Sequence, residues 1–223
     1  MKLLLIRHSE PDPERDPIDP PLTDEGKRLA ANTGEWLVGE GVSIVYSSGT
    51  RRAEETAEVI AARVSAPLLV EDGLAEFGAG YEYVPVDELR RTDDARWAAM
   101  AAGDLTVYGT DTDTFRAVVS ATIEAIIDAH PGETVAVVSH AGAINAYLGG
   151  VLGIERLLWA ELNYAGITRL AVSRSGVRSL VSLNEQPHGC GLPSSYQAVS
   201  VEDRPAVEPS ESVLSTRRPG GPS

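Results

Sequence analysis

Long apolar runs are missing from this chain of 223 residues. None could cross a bilayer, and Met1 leads straight into a strand-like segment rather than a secretion signal. Cysteine is almost absent: the single Cys190 excludes an internal disulfide and a cysteine-rich metal site. His-Glu-x-x-His and paired-cysteine spacings are lacking too, so no metal or other cofactor is expected. Positive charge is scarce. With 19 Lys and Arg against 33 Asp and Glu, the formal net charge is −14. Such a surface repels nucleic acid and anionic lipid, so neither is an expected partner. What remains has the apolar content and length of one globular domain with a sizeable core. A cytoplasmic location is the expectation.

Strand signals are short and rich in leucine or β-branched residues. They fall at Leu3–Ile6, Ser43–Tyr46, Pro67–Val70, Thr134–Val138, Thr168–Val172 and Val177–Leu183. Helical patterns lie between them. Thr23–Leu37 opens with a cap-like threonine and two acids, which suit the positive end of a helix. Arg52–Val64 aligns Ala53, Ala57, Ile60 and Val64. Asp111–Ala129 carries Phe115, Val118, Val119, Thr122, Ile123, Ile126 and Ile127 at helical spacing, then meets the stop signal His130-Pro131-Gly132. Strands alternating with helices predict a three-layer α/β/α sandwich around a mostly parallel sheet. The last two strands, joined by Ser173-Arg174-Ser175-Gly176, read as a hairpin that puts an antiparallel strand at one edge. Residues 1–185 form the domain. From Gln186 to Ser223 apolar periodicity is lost, and this stretch reads as a disordered tail. An exposed edge strand leaves a homodimer open.

Four strand ends carry reactive residues: Arg7-His8-Ser9-Glu10, Ser47 to Arg52, Leu74-Ala75-Glu76-Phe77-Gly78, and Ser139-His140-Ala141-Gly142. In a parallel sheet all four converge on one crevice, where ligands of open α/β sheets bind. The set suits a phosphoryl group. Arg7 and Arg52 can each fork two donors onto phosphate oxygens. His140, when protonated, adds another, and the backbone amides at Ala141 and Gly142 open a helix whose start favours anions. His8 can serve as nucleophile, and Glu76 can pass a proton to the leaving oxygen. His130 ends a helix, where a cation suits the dipole, and takes no part. His188 and Cys190 sit idle in the tail.

In order, these motifs resemble the histidine phosphatase superfamily, also called phosphoglycerate-mutase-like (branch 1). Arg7-His8-Ser9 is similar to its opening Arg-His-Gly/Ala motif. Leu22-Thr23-Asp24-Glu25-Gly26 matches its first helix start, and Ser48 to Ala57 its Ser-x-x-x-Arg-Ala-x-x-Thr-Ala segment. Ser139-His140-Ala141-Gly142 resembles Ser-His-Gly-Gly, while Asn163 and Thr168-Arg169-Leu170 resemble the start of its late strand. The likeness runs from residue 2 to about 183. It implies a phosphoglycerate-mutase-like fold, phosphorylation of His8, Arg52 as the second phosphate arginine with Arg51 a bystander, and Glu76 as the acid-base residue.

The departures bear on the reaction. Ser9 stands where the family has Gly or Ala, and its hydroxyl is within reach of the phosphate. Mutase members carry a longer segment after the histidine motif and a basic insertion after the acid-base glutamate. Here Glu10–Pro21 is short, acidic and stiffened by proline, and Tyr81–Leu89 is short and acidic as well. A metal-independent phosphatase acting on a small phosphorylated substrate is therefore expected. A cofactor-dependent phosphoglycerate mutase is the alternative, and a non-catalytic phosphate-binding module the third reading. Glu10–Pro21 and Ala75–Arg96 are expected to build the pocket mouth as loops. Tyr81, Tyr83 and Trp97 read as cap core rather than as substrate contacts.

Overall fold

The computed structural model describes residues 1–92 and 94–186. The tail expectation, with His188 and Cys190, lies outside the described residues, Gln186 apart. Six strands form one sheet: β1 (Lys2–Arg7), β2 (Val42–Ser47), β3 (Leu68–Val70), β4 (Thr134–Ser139), β5 (Ile167–Val172) and β6 (Arg178–Glu185). Their order is β3-β2-β4-β1-β5-β6. The first four are parallel, β5 runs antiparallel to β1, and β6 runs antiparallel to β5. The reversed strand is thus one place in from the open edge, and β6 exposes Val181 and Leu183 there.

Burial alternates along the strands with period two. Leu3, Leu5, Tyr46, Val135 and Val137 face one cluster, and Leu4, Ile6, Val45, Ala136 and Val138 face the other. Helices α1 (Asp24–Leu37) and α2 (Arg51–Val64) cover the second face. Helices α5 (Thr112–Ala129) and α6 (Ala141–Leu152) cover the first. This is the three-layer sandwich expected of strands that are apolar nearly throughout. Among the described residues no helix is long and apolar enough to cross a membrane.

The helix boundaries follow local chemistry. Thr23 caps α1 by accepting the Gly26 N–H at 2.8 Å, with Asp24 and Glu25 in the first turn. Asp111 caps α5 the same way through the Thr114 N–H. Gly153, at φ 70°, ends α6 in the left-handed region that glycine tolerates best.

Two short helices were not foreseen, where a loop was expected. They are α3 (Val86–Arg91) and α4 (Ala95–Ala101). Each is too short to show a periodic stripe in the sequence. They form a cap over the carboxyl ends of the strands, and their Leu89 and Met100 join Leu105, Phe115 and Val119 in one buried cluster. Trp97 packs against that cluster and under the Arg90 guanidinium, as cap core should. The acidic segment 10–21 is closed at its base by an isolated antiparallel bridge between Pro11 and Leu22. Its far side accepts the Tyr83 N–H on the Pro17 carbonyl at 2.7 Å, so segment and cap meet.

Leu5 is fully buried in the central strand. Leu5→Ala should therefore lower unfolding stability by about 3 kcal/mol, read as a lower urea midpoint with an unchanged slope.

Candidate active site

The parallel register places the reactive residues at one level. Arg7 pairs with Ser139 across β1 and β4, and Ser47 pairs with Val138 across β2 and β4. One step beyond β1 and β4, His8 and His140 close on each other, and Arg52 joins them from the start of α2. An open cleft, whose roughly 660 Å³ of empty space runs out into solvent, is lined by Arg7, His8, Arg52, Glu76, His140 and Ala141 at its floor. Among the described residues, no group of three or more His, Cys, Asp or Glu side chains is placed to hold a metal ion.

His8 is only 3% exposed. Its backbone N–H donates to the Ser139 carbonyl at 2.7 Å, and its ring Nδ1 lies 2.7 Å from the Ser9 carbonyl. A carbonyl only accepts, so Nδ1 carries the proton and Nε2 presents its lone pair. Burial, then the nearby Arg52, His140 and Arg7, holds the ring well below its ordinary pKa, and it stays neutral.

His140 stands 5.0 Å from His8, ring centre to ring centre. Its Nε2 bonds Ser48 Oγ at 2.8 Å, and its Nδ1 accepts from Arg52 Nη2 at 3.4 Å. A guanidinium can only donate, so Nδ1 is bare and the proton is on Nε2. Burial and the arginines keep this ring neutral as well. The protonated His140 expected as a phosphate donor is therefore not the form of the unliganded site; its proton is directed at Ser48.

The two arginines are held by different means. Arg7 donates through Nη1 to the Leu162 carbonyl, and its guanidinium lies 4.0 Å above the Tyr164 ring. Arg52, 4% exposed, sits in the first turn of α2 with its guanidinium 4.9 Å from the Tyr83 ring. Its buried Nε has no hydrogen-bond partner. The Tyr83 and Tyr164 hydroxyls are 3.2 Å apart, so the two stacked rings are tied together. Cation–aromatic contact favours a desolvated guanidinium. At the mouth, the Asp19 carboxylate accepts the Arg51 N–H at 2.9 Å and lies 3.7 Å from Arg52 Nη1. Arg51 itself turns outward to Glu55, which makes it the expected bystander.

Glu76 reaches the floor from the cap side. Its Oε2 accepts the Gly142 N–H at 2.8 Å and its Oε1 the Phe77 N–H at 3.2 Å. Burial raises its pKa; these two bonds and the arginines oppose the rise without cancelling it. A side chain on Gly142 would put its Cβ 2.2 Å from Glu76 Oε1. Glycine here is the space in which the acid sits. It also means that the Gly142 amide is committed to Glu76 rather than open to an anion, while Ala141 still lines the cavity. Ser139 Oγ donates to the Leu74 carbonyl at 2.7 Å and anchors the turn that leads to Glu76.

One expectation fails outright. Ser9 Oγ donates to the Gly26 carbonyl at 2.6 Å, and its N–H donates to Thr56 Oγ1. The hydroxyl fastens the loop to α1 and is turned from the phosphate position. His130 bonds Tyr46 and Glu133 at the end of α5, away from the site. Tyr164, Tyr83 as an arginine partner, and Asp19 were missed. Tyr164 stands next to Asn163, which the motif order had reached, but stacking on an arginine 157 positions away leaves no local pattern.

Comparison with known proteins gives a consistent result. Residues 3–186 match the family model of the Histidine phosphatase superfamily (branch 1). Phosphoserine phosphatase 1 of Hydrogenobacter thermophilus is 28% identical over 174 residues, covering 70% of this chain and 78% of that one. The uncharacterized phosphatase PhoE of Bacillus subtilis is 27% identical over 155 residues, covering 67% and 76%. Among solved structures, YhfR of Bacillus stearothermophilus superposes with a TM-score of 0.70 at 23% identity, covering 82% and 96%. A phosphoserine phosphatase variant of Entamoeba histolytica, solved with phosphoserine, superposes at 0.67 and 24% identity, covering 83% and 97%.

The arginine floor should bind a tetrahedral oxyanion. Orthophosphate at a hundredfold excess over its Kd should raise Tm by about 5–10 °C. Arg52→Ala should abolish that shift and Arg51→Ala should keep it, both read by differential scanning fluorimetry.

Proposed function

The chain belongs to the Histidine phosphatase superfamily (branch 1), and on that premise we propose that it hydrolyses phosphomonoesters through a phosphohistidine on His8. Its phosphatase relatives support a hydrolase acting on phosphate esters. The observation that carries the finer reading is the His8 tautomer. With Nδ1–H fixed on the Ser9 carbonyl, the bare Nε2 belongs to a ring that lines the cavity between two guanidinium groups.

In the first step the Nε2 lone pair forms a bond to phosphorus, and the bond from phosphorus to the leaving oxygen breaks. Glu76, its pKa raised by burial, gives that oxygen its proton. Arg7 and Arg52 take the charge on the equatorial oxygens. A phosphoryl dianion beside His140 favours the charged imidazole, which adds a donor as the negative charge arrives. In the second step the Glu76 carboxylate takes a proton from water, the water oxygen bonds phosphorus, and the bond to Nε2 breaks. Orthophosphate leaves, and both residues regain their starting protonation.

The phosphoglycerate mutase alternative needs the phosphoryl group to pass to a second hydroxyl. A coupled assay with 3-phosphoglycerate, with and without 2,3-bisphosphoglycerate, should show no interconversion. The non-catalytic reading is tested by acid quenching. Protein stopped during turnover should carry acid-labile, base-stable phosphate that His8→Ala lacks, and His8→Ala should release no phosphate.

The two titrations set the pH dependence. His8 must be neutral, and its lowered pKa keeps it so into the acid range. Glu76 must be protonated, so kcat/KM for alkyl phosphates should fall as pH rises through its elevated pKa. Glu76→Gln should remove that alkaline limb and cost about 10²–10⁴-fold on alkyl esters. It should cost far less on p-nitrophenyl phosphate, whose leaving group needs no proton.

A further inference from the structure

Above the phosphate floor, the same cavity continues into an outer chamber walled by the cap. Phe77, Val84, Leu89, Met100 and Tyr108 line it. Phe77 and Tyr108 stand ring to ring at 5.2 Å, backed by Phe115 at 5.4 Å from Phe77. The leaving alcohol of any ester whose phosphorus reaches His8 must lie between floor and mouth, against these walls.

The chamber's polar side chains are spent on one another. Arg96 is the cation among the described residues lining it, and both oxygens of the Asp94 carboxylate hold its guanidinium: Nε at 3.1 Å and Nη2 at 2.9 Å. Its remaining Nη1 faces the Glu82 carboxylate at 4.0 Å. Tyr108 directs its hydroxyl to the Met100 sulfur, and Tyr83 bonds Tyr164. One guanidinium held between two carboxylates leaves the outer chamber with no surplus positive charge. An alcohol carrying a carboxylate would lose its water there and meet no uncommitted cation, and an unpaired buried charge is costly. An apolar or aromatic body would instead cover the ring and thioether surfaces it displaces water from.

Resting on the phosphatase reading above, we infer that the outer chamber selects phosphomonoesters of uncharged alcohols with an apolar or aromatic body, and discriminates against esters whose alcohol bears a carboxylate. Asp94 is the positioning residue for this choice, because it neutralises Arg96. It also caps α4 by accepting the Arg96 N–H at 2.8 Å, a role an asparagine oxygen can keep.

The test compares benzyl phosphate with 4-carboxybenzyl phosphate, two esters with leaving oxygens of similar acidity. The expected kcat/KM ratio is about tenfold or more in favour of benzyl phosphate, set by the penalty for an unpaired buried charge. Phosphoserine should also be the poorer substrate. Asp94→Asn should narrow the benzyl-to-carboxybenzyl ratio severalfold while leaving kcat on benzyl phosphate and the Tm nearly unchanged. A wild-type ratio below threefold, or good turnover of phosphoserine over benzyl phosphate, overturns the inference and leaves the phosphatase standing. A ratio untouched by Asp94→Asn overturns the role given to Arg96 and Asp94. Absence of turnover on every ester, with no phosphate on His8, overturns the phosphatase itself and this inference with it.

Discussion

Two guanidinium groups buried side by side are the constraint around which this molecule is arranged. Arg7 and Arg52 are nearly inaccessible, and the carboxylate that faces Arg52, Asp19, stands 3.7 Å from it at the exposed mouth. Buried cations are expensive. The protein meets the expense with weaker, fixed partners: the Leu162 carbonyl, the faces of Tyr164 and Tyr83, and the bare nitrogen of His140. The carbonyl and the two ring faces can remain in place when an anion arrives. A tight internal ion pair would have to be broken first.

The same two charges govern the neighbouring titrations. They help keep His8 and His140 neutral, and they restrain but do not reverse the rise of the Glu76 pKa. A neutral nucleophile and a protonated acid within one cavity are thus consequences of burial and of where the arginines lie. The strand register brings this about, since Arg7 and Ser139 are paired residues and His8 and His140 are the next along each chain. A slip of one residue between β1 and β4 would turn one histidine to the opposite face of the sheet.

Much of this was legible in the sequence because it is local. An apolar strand ending in Arg-His, or in Ser-His before a helix start, is a contiguous pattern, and the start of α1 and the end of α5 were marked by a capping threonine and by His130-Pro131-Gly132. The parts that escaped notice are those that depend on distant packing. Tyr164 matters only because Arg7 lies under it. The hydroxyl of Ser9 could equally have faced a phosphate until the approach of Gly26 took it. The protonation of His140 depends on a guanidinium from another helix. Helices α3 and α4 span about two turns each and draw their stability from Leu89 and Met100 meeting α5, not from any intrinsic pattern.

Glu76 is held by a backbone amide of α6, and the turn before it by a serine at the end of β4. The cap that follows it contributes walls but does not hold the acid in place. Reaction and substrate choice therefore reside in separate stretches of the chain. Tyr83 apart, which holds Arg52, the roughly thirty residues after Phe77 are free to drift toward other alcohols while the strand ends continue the same chemistry. Substrate preference can then be inherited, lost or exchanged on its own, and a shared family name says little about which ester a given member consumes.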